Sequence, residues 1–317
     1  MQGAALQTTI TNEPSPPAPP PGDWGRGEEL NMITSVPMKD WRFLGCTAAY
    51  ADAAIVLFGA PFDGTVSYRA GTRFGPQAAR SESFGIETWS PYQLADLEDA
   101  AVCDLGDIDV PIGNTPETLR MIGELSAQVF AGGKKLLMVG GEHLVSLPAI
   151  KAAAEKYSDL HVVHFDAHAD LREDYLGEKN SHASAIRRVQ EVLGDGRIWQ
   201  FGIRSGTQEE FQWAAEGHTA LTAFDFEGLA EAAGALRGKP VYLTVDLDVL
   251  DSSVFPGTGT PEAGGVTFRE LMNAFGVLKG LDIVGADAVE LSPPYDPSGG
   301  STAVACKVIR ELALLMA

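Results

Sequence analysis

Three short segments gather side chains of the types that can hold metal ions. Leu160 to Asp170 reads LHVVHFDAHAD, an apolar run that ends in Asp166, His168 and Asp170. In extended backbone these positions share one face, so three donors converge at the carboxyl end of a strand. VYLTVDLDVLD repeats the device, with Asp246 and Asp248 two residues apart. MVGGEHLVSLP ends a strand in Gly140 and Gly141 and opens a helix with Glu142 and His143. Carboxylates at buried strand ends without basic neighbours are costly unless a cation sits among them. Imidazole plus carboxylate without thiolate suits Mn²⁺, with Fe²⁺, Co²⁺, Ni²⁺ and Zn²⁺ as competitors. Six donors exceed what one open catalytic ion needs. Two ions sharing carboxylates fit better, and such a pair activates a bridging water as hydroxide.

Each segment alone also has a plainer reading. D-x-H-x-D can be a hydrogen-bonded cluster at a strand end, and D-x-D is a weaker signal still. Gly-Gly before a helix can be a tight turn or a phosphate cradle, but the G-x-G-x-x-G spacing and the P-loop Lys-Ser pair are missing. His164, two residues before Asp166 on the same face, reads as a packed histidine behind the site. His161 and His218 read as ordinary packing or surface residues.

The elements that must position these donors alternate along the chain. Apolar runs at Ala53 to Gly59, Ala101 to Asp104, Lys135 to Gly140, Leu160 to Asp166, Arg197 to Ile203, Val241 to Asp246 and Ile283 to Glu290 read as strands. Helical periodicity spans Thr115 to Ala131, Leu144 to Tyr157, His182 to Leu193, Glu209 to Glu216, Phe268 to Leu278 and Ala303 to Leu315. The pattern predicts a three-layer α/β/α fold around a central, mostly parallel sheet, whose carboxyl edge is where open α/β folds place their sites. Pro14 to Gly22 reads PSPPAPPPG, which cannot form helix or ladder. Residues 1–30 are accordingly assigned to a Pro-rich N-terminal tail and 31–317 to one catalytic domain.

Composition narrows the partners. Among 317 residues, 43 are acidic and 23 basic, a formal charge of −20 that repels nucleic-acid phosphates and anionic membrane surfaces. Neither nucleic acid nor membrane is an expected partner. Cys46, Cys103 and Cys306 are too few and too scattered for a disulfide framework. A signal peptide or a spanning apolar stretch is not apparent, so a soluble cytoplasmic protein is expected.

GGEH, DAHAD and DLD in this order resemble the ureohydrolase family of arginases and agmatinases. PFDGTVSYRAGTRFGPQAAR, from Pro61 to Arg80, is similar to its N-terminal signature, and ADAVELSPPYDPSGGSTAVACKVIREL to its C-terminal one. The likeness covers nearly everything after residue 30. It is greatest to bacterial agmatinases, which carry GGEHLVS, FDAHxDLR, an intervening SH and FGIRSG. The resemblance implies an arginase-like fold and two Mn²⁺ ions. His143 would bind one ion and His168 the other, with Asp166 and Asp246 bridging, Asp170 completing the first site and Asp248 the second. Glu290 matches the glutamate that binds the guanidinium group, as a planar cation asks of a carboxylate. His182 matches a histidine that shuttles protons or touches substrate, and Asp170 also the group that protonates the leaving amine. The implied reaction is hydrolysis of agmatine to putrescine and urea, in a homo-trimer or homo-hexamer.

One segment departs from arginase. Where arginase is polar and asparagine-rich after D-x-H-x-D, this chain reads LREDYLGEKNSHAS. Glu173, Asp174 and Glu178 offer no donors to an α-carboxylate, although Arg172 offers one. Charge points the same way. Four aspartates and two divalent ions sum to zero, and hydroxide plus ionised Glu290 leave about −2, which suits a doubly cationic agmatine. Guanidinobutyrate, arginine, free guanidine or a formimino substrate remain alternatives. A single-zinc deacetylase of the same fold is opposed by the second D-x-D and by Glu290. A catalytically silent protein binding a polyamine-pathway partner is opposed by the intact ligand set.

Overall fold

Branched, apolar runs bounded by glycine or helix starts form the strands of the computed structural model, which describes residues 41–317. The Pro-rich tail at 1–30 and residues 31–40 of the assigned catalytic domain lie outside the described residues. In chain order, β1 (Ile55–Ala60) begins the main sheet, while β2 (Trp89–Ser90) and β3 (Ala95–Asp96) make a small antiparallel ladder. The main sheet continues with β4 (Val102–Asp107), β5 (Lys135–Gly140), β6 (His161–Phe165), β7 (Ile198–Ile203), β8 (Ala220–Ala223), β9 (Pro240–Asp246) and β10 (Asp282–Val289). Its spatial order is β4-β1-β5-β10-β9-β6-β7-β8, and every neighbouring pair is parallel.

Among the described residues there are eight α-helices, the last after the final strand: α1 (Gly75–Glu82), α2 (Thr115–Ala131), α3 (Ser146–Lys156), α4 (Ala185–Leu193), α5 (Gln208–Trp213), α6 (Leu229–Ala235), α7 (Phe268–Leu278) and α8 (Gly300–Met316). Buried side chains of α2, α3 and α4, such as Ile122, Ile150 and Val189, cover one sheet face. Those of α6, α7 and α8, such as Leu229, Phe275 and Ile309, cover the other. Central strands are therefore apolar on both faces, as β1 is at all six positions, and read as continuous runs. This is the expected three-layer α/β/α fold. Among the described residues, no helix is long and apolar enough to cross a membrane.

Five elements escape the sequence pattern, the two-residue strands β2 and β3 among them. β8 is a four-residue strand, Ala-Leu-Thr-Ala, on the sheet edge with no fully buried position. α1 and α6 have eight and seven residues, too few for a 3.6-residue period to declare itself.

Candidate metal centre

Strand register brings the distant segments together. β5, β10, β9 and β6 are consecutive in the sheet, with Val139 beside Ala288, Val289 beside Asp246 and Val245 beside Phe165. Each strand therefore ends at about the same level, and the next residues carry His143, Glu290, Asp248 and Asp166. Gly141 is what lets β5 turn here. A Cβ on it would lie 1.9 Å from the Phe62 carbonyl oxygen, which accepts a hydrogen bond from Glu142 N at 2.8 Å.

Strand alternation accounts for only part of the D-x-H-x-D geometry. β6 ends at Phe165, residue 167 is a bend, and His168 makes an isolated parallel bridge to Ser205 beyond the strand. His168 N donates to Asp166 Oδ1 (2.6 Å), Ala167 N to Asp248 Oδ1 (3.2 Å) and Asp248 N to Asp246 Oδ1 (2.9 Å), so backbone amides aim the carboxylates. Asp170 and Glu290 both have left-handed backbone, φ 54° and 66°. Such strain in non-glycine residues persists where the surroundings over-determine it, and it collects at functional sites.

All six expected ligands converge. His143 Nδ1 lies 3.0 Å from Asp166 Oδ2, 3.3 Å from Asp170 Oδ2 and 3.3 Å from Asp246 Oδ2. His168 Nδ1 lies 3.1 Å from Asp248 Oδ2 and 3.5 Å from Asp166 Oδ1. Asp166 thus turns one oxygen to each histidine. His164 stands behind it, its Nε2 2.8 Å from Asp166 Oδ2 and its Nδ1 3.1 Å from Gln200 Nε2. His161 is buried near Lys239, and His218 pairs with Asp195 while stacked on Trp213.

The donors fit divalent ions. Buried His143 Nδ1 makes no hydrogen bond although three carboxylate oxygens surround it. Among the described residues, no lysine or arginine forms an ion pair with Asp166, Asp170, Asp246, Asp248 or Glu290. The electrostatics of the bare cluster register that want of a cation. Burial and the charge of Asp166 lift the Asp170 carboxyl to about 7. Burial with Asp248 and Asp166 raises Asp246 well above the usual carboxylate range, and burial with Glu142 and Asp248 does the same for Glu290. Burial opposes charge on His143 and His168, yet the carboxylates around them more than reverse it and raise both imidazoles. Asp166 alone is driven down, since its three histidine neighbours outweigh its burial.

Above the ligands a cavity of about 180 Å³ is lined by His143, His168, Asp170, His182, Asp246 and Glu290, with Arg172, Tyr175, Glu210 and Thr260 in its wall. Glu290 Oε1 accepts from His143 N at 2.8 Å. His182 N donates to Thr65 Oγ1 (3.0 Å), and its Nε2 lies 3.4 Å from Ser67 Oγ. Burial, aided by nearby His168, His143 and Arg172, pushes the His182 imidazole down to about 4, so it is neutral near pH 7.

Sequence reasoning passed over two carboxylates here. Glu142 is buried and accepts from both the amide and the hydroxyl of Thr65, which ties the Pro61 to Arg80 signature to the residue before His143. Glu210 closes the capping box of α5 with Thr207 and also accepts from Leu171 N at 2.9 Å. T-x-x-E ahead of an apolar residue was a legible signal for the cap, but not for its place in the cavity wall. Arg172, 3.7 Å from Glu210 and 4.6 Å over the Tyr175 ring, is partnered by both.

A parallel sheet that delivers carboxylates and histidines to one ion-ready cleft defines a metal-dependent α/β hydrolase. Residues 53–315 match the Arginase family, and the chain belongs to that family. It is 46% identical over 275 residues to an agmatinase of Bacillus anthracis, covering 86% of this chain and 95% of that protein. A guanidinobutyrase of Pseudomonas aeruginosa is 36% identical over 280 residues, 84% of this chain and 86% of the relative. The crystal structure of agmatine ureohydrolase of Thermoplasma volcanium matches with a TM-score of 0.81 at 30% identity, covering 91% of this chain and 97% of that one.

Proposed function

We propose that this chain hydrolyses agmatine to putrescine and urea with a pair of Mn²⁺ ions. The reading is supported by Asp166, whose two oxygens face His143 at 3.0 Å and His168 at 3.5 Å in a carboxylate cluster that, among the described residues, has no lysine or arginine partner. His143, Asp166, Asp170 and Asp246 would hold one ion, and His168, Asp166, Asp246 and Asp248 the other. When bound, such ions supply Lewis acidity and acidify water toward neutrality.

The remaining chemistry belongs to the side chains. Glu290 keeps one oxygen on the His143 amide and offers the other to a planar guanidinium group. His182, neutral at working pH, accepts a proton or a substrate hydrogen bond at the cavity wall. Asp170, which lines the cavity beside His143, would pass a proton to the leaving amine. The site's net charge of about −2, counted with two divalent ions, matches the two positive charges of agmatine.

One observation favours a second reading. Arg172 lines the cavity, and a guanidino acid would bring a carboxylate to it. Urea release by Mn²⁺-loaded protein, offered agmatine, guanidinobutyrate, arginine and guanidine beside a chelator-treated control, decides between them. Agmatine turnover that disappears on metal removal supports the proposal. Preference for guanidinobutyrate transfers it to the guanidino acid, and absence of urea from all four overturns both. Assembly as a homo-trimer or homo-hexamer accompanies the proposal, to be checked by light scattering.

A further inference from the structure

A buried hydrogen-bond chain runs away from the centre on the far side of His143. His143 Nε2 lies 2.9 Å from Thr244 Oγ1, and Thr244 Oγ1 donates to Asp287 Oδ1 at 2.6 Å. Tyr242 OH donates to Asp287 Oδ2 at 2.9 Å. Thr244 and Asp287 are register partners on β9 and β10, and all four residues are buried. The strand is shaped to admit this chain. A Cβ on Gly285 would lie 2.7 Å from the Tyr242 ring, so only glycine lets the phenol lie across β10 toward Asp287.

Proton counting fixes the direction of the chain. A carboxylate only accepts, so Asp287 takes one proton from Tyr242 and, at 2.6 Å against 3.5 Å to Ser146 Oγ, the single hydroxyl proton of Thr244. The Thr244 oxygen is then left as an acceptor, and His143 must carry its proton on Nε2. Its Nδ1 lone pair consequently faces Asp166, Asp170 and Asp246. We propose that Thr244 and Asp287 are positioning residues that hold His143 in the Nε2–H tautomer, the only neutral form in which Nδ1 can bind a metal ion. The inference rests on the metal-centre reading and adds to it two residues that touch neither ion nor substrate.

The test is a calorimetric Mn²⁺ titration of chelator-treated full-length protein. Thr244→Val keeps the shape and removes the hydroxyl, and it is expected to weaken one of the two binding events by about ten- to a hundredfold. Thr244→Ser restores the hydroxyl and is expected to restore wild-type affinity. Asp287→Asn is expected to do at least as much damage as Thr244→Val. Its amide can donate to Thr244, reverse the chain and drive the histidine proton onto Nδ1. Thermal melting of each ion-free variant separates a folding defect from a binding one, and the Val/Ser pair decides the matter if Asp287→Asn does not fold. Wild-type affinity in Thr244→Val, or equal weakening in Val and Ser, overturns the proposal. Wild-type protein that takes up no divalent ion overturns the metal-centre reading itself, and this inference with it.

Discussion

Two clusters of carboxylates in this molecule are built on opposite terms. Between α1 and β4, Arg80 donates from Nε and Nη2 to the two oxygens of Asp104 at 2.8 Å each, and its Nη1 pairs with Asp107. That cluster contains its own cation, and the planar guanidinium satisfies it bidentately. At the carboxyl edge of β5, β10, β9 and β6, by contrast, Asp166, Asp170, Asp246 and Asp248 lie against imidazoles, Glu290 accepts from the His143 amide, and among the described residues no lysine or arginine pairs with any of them. The first is complete as folded. The second is complete only when something cationic arrives, which is the difference between a structural ion pair and a binding site.

The contrast breaks first at Asp166, the proposed shared ligand. Asp166→Asn removes charge facing both histidines, so loss of kcat/KM should exceed the roughly 10²–10³-fold that a single misplaced donor costs. Metal content measured on the purified variant should fall together with urea release. Full activity with two ions bound would deny Asp166 its bridging place. Arg80→Met is the mirror experiment. It leaves buried Asp104 without its cation and should destabilise the fold by about 3–5 kcal/mol in a denaturant melt. Mn²⁺ uptake by the variant that remains folded should not change, and loss of uptake would mean that the two clusters are coupled. Glu290→Gln lies between these cases. It keeps the shape and the hydrogen bond from His143 N but weakens the hold on guanidinium, for an expected loss of about 2–4 kcal/mol in transition-state binding with both ions retained. Equal kcat/KM in the variant would remove Glu290 from guanidinium recognition.

The same contrast explains what was legible beforehand. His143, Asp166, His168, Asp246 and Asp248 stand in compact motifs at the ends of apolar runs, so residue type and spacing disclosed both the donors and the strands that carry them. The arrangement Asp166–Asp170 nevertheless depends on a bend at Ala167, on amide donors that aim the carboxylates and on left-handed backbone at Asp170, and alternation along a strand anticipates none of these. Glu142 and Thr65 lie 77 residues apart, and Thr244 and Asp287 lie 43 apart. Pairings of that kind come from sheet order, where β10 inserts between β5 and β9, and no local pattern announces it. β8 stayed hidden because a short edge strand need not be apolar on both faces.

The smallest expected effect is also the one that joins the two ideas of charge and fold. Asp170 is lifted to about 7 in the ion-free protein, whereas an unfolded aspartate titrates near 4. Its contribution to ion-free stability is therefore fully present below about pH 4 and lost as pH rises through about 7. Asp246 and Glu290 are raised and act in the same sense. His143 and His168 are raised as well, so their contribution is present below about pH 6.5 and lost above. Asp166, lowered, runs the other way and loses its contribution only in acid. Divalent ions bind the deprotonated ligands, so their affinity climbs over the pH range in which the bare cluster becomes unfavourable. With Mn²⁺ at a hundred times its Kd, the stabilisation at neutral pH is about 2.7 kcal/mol for one site. The melting-temperature gap between Mn²⁺-saturated and chelator-treated protein should then be narrow at pH 5 and widen steadily toward pH 8. A gap that stays constant across that range would mean that protons and metal do not compete for these carboxylates, and the carboxyl-edge cluster would have to be neutralised from within, as the Arg80 cluster is.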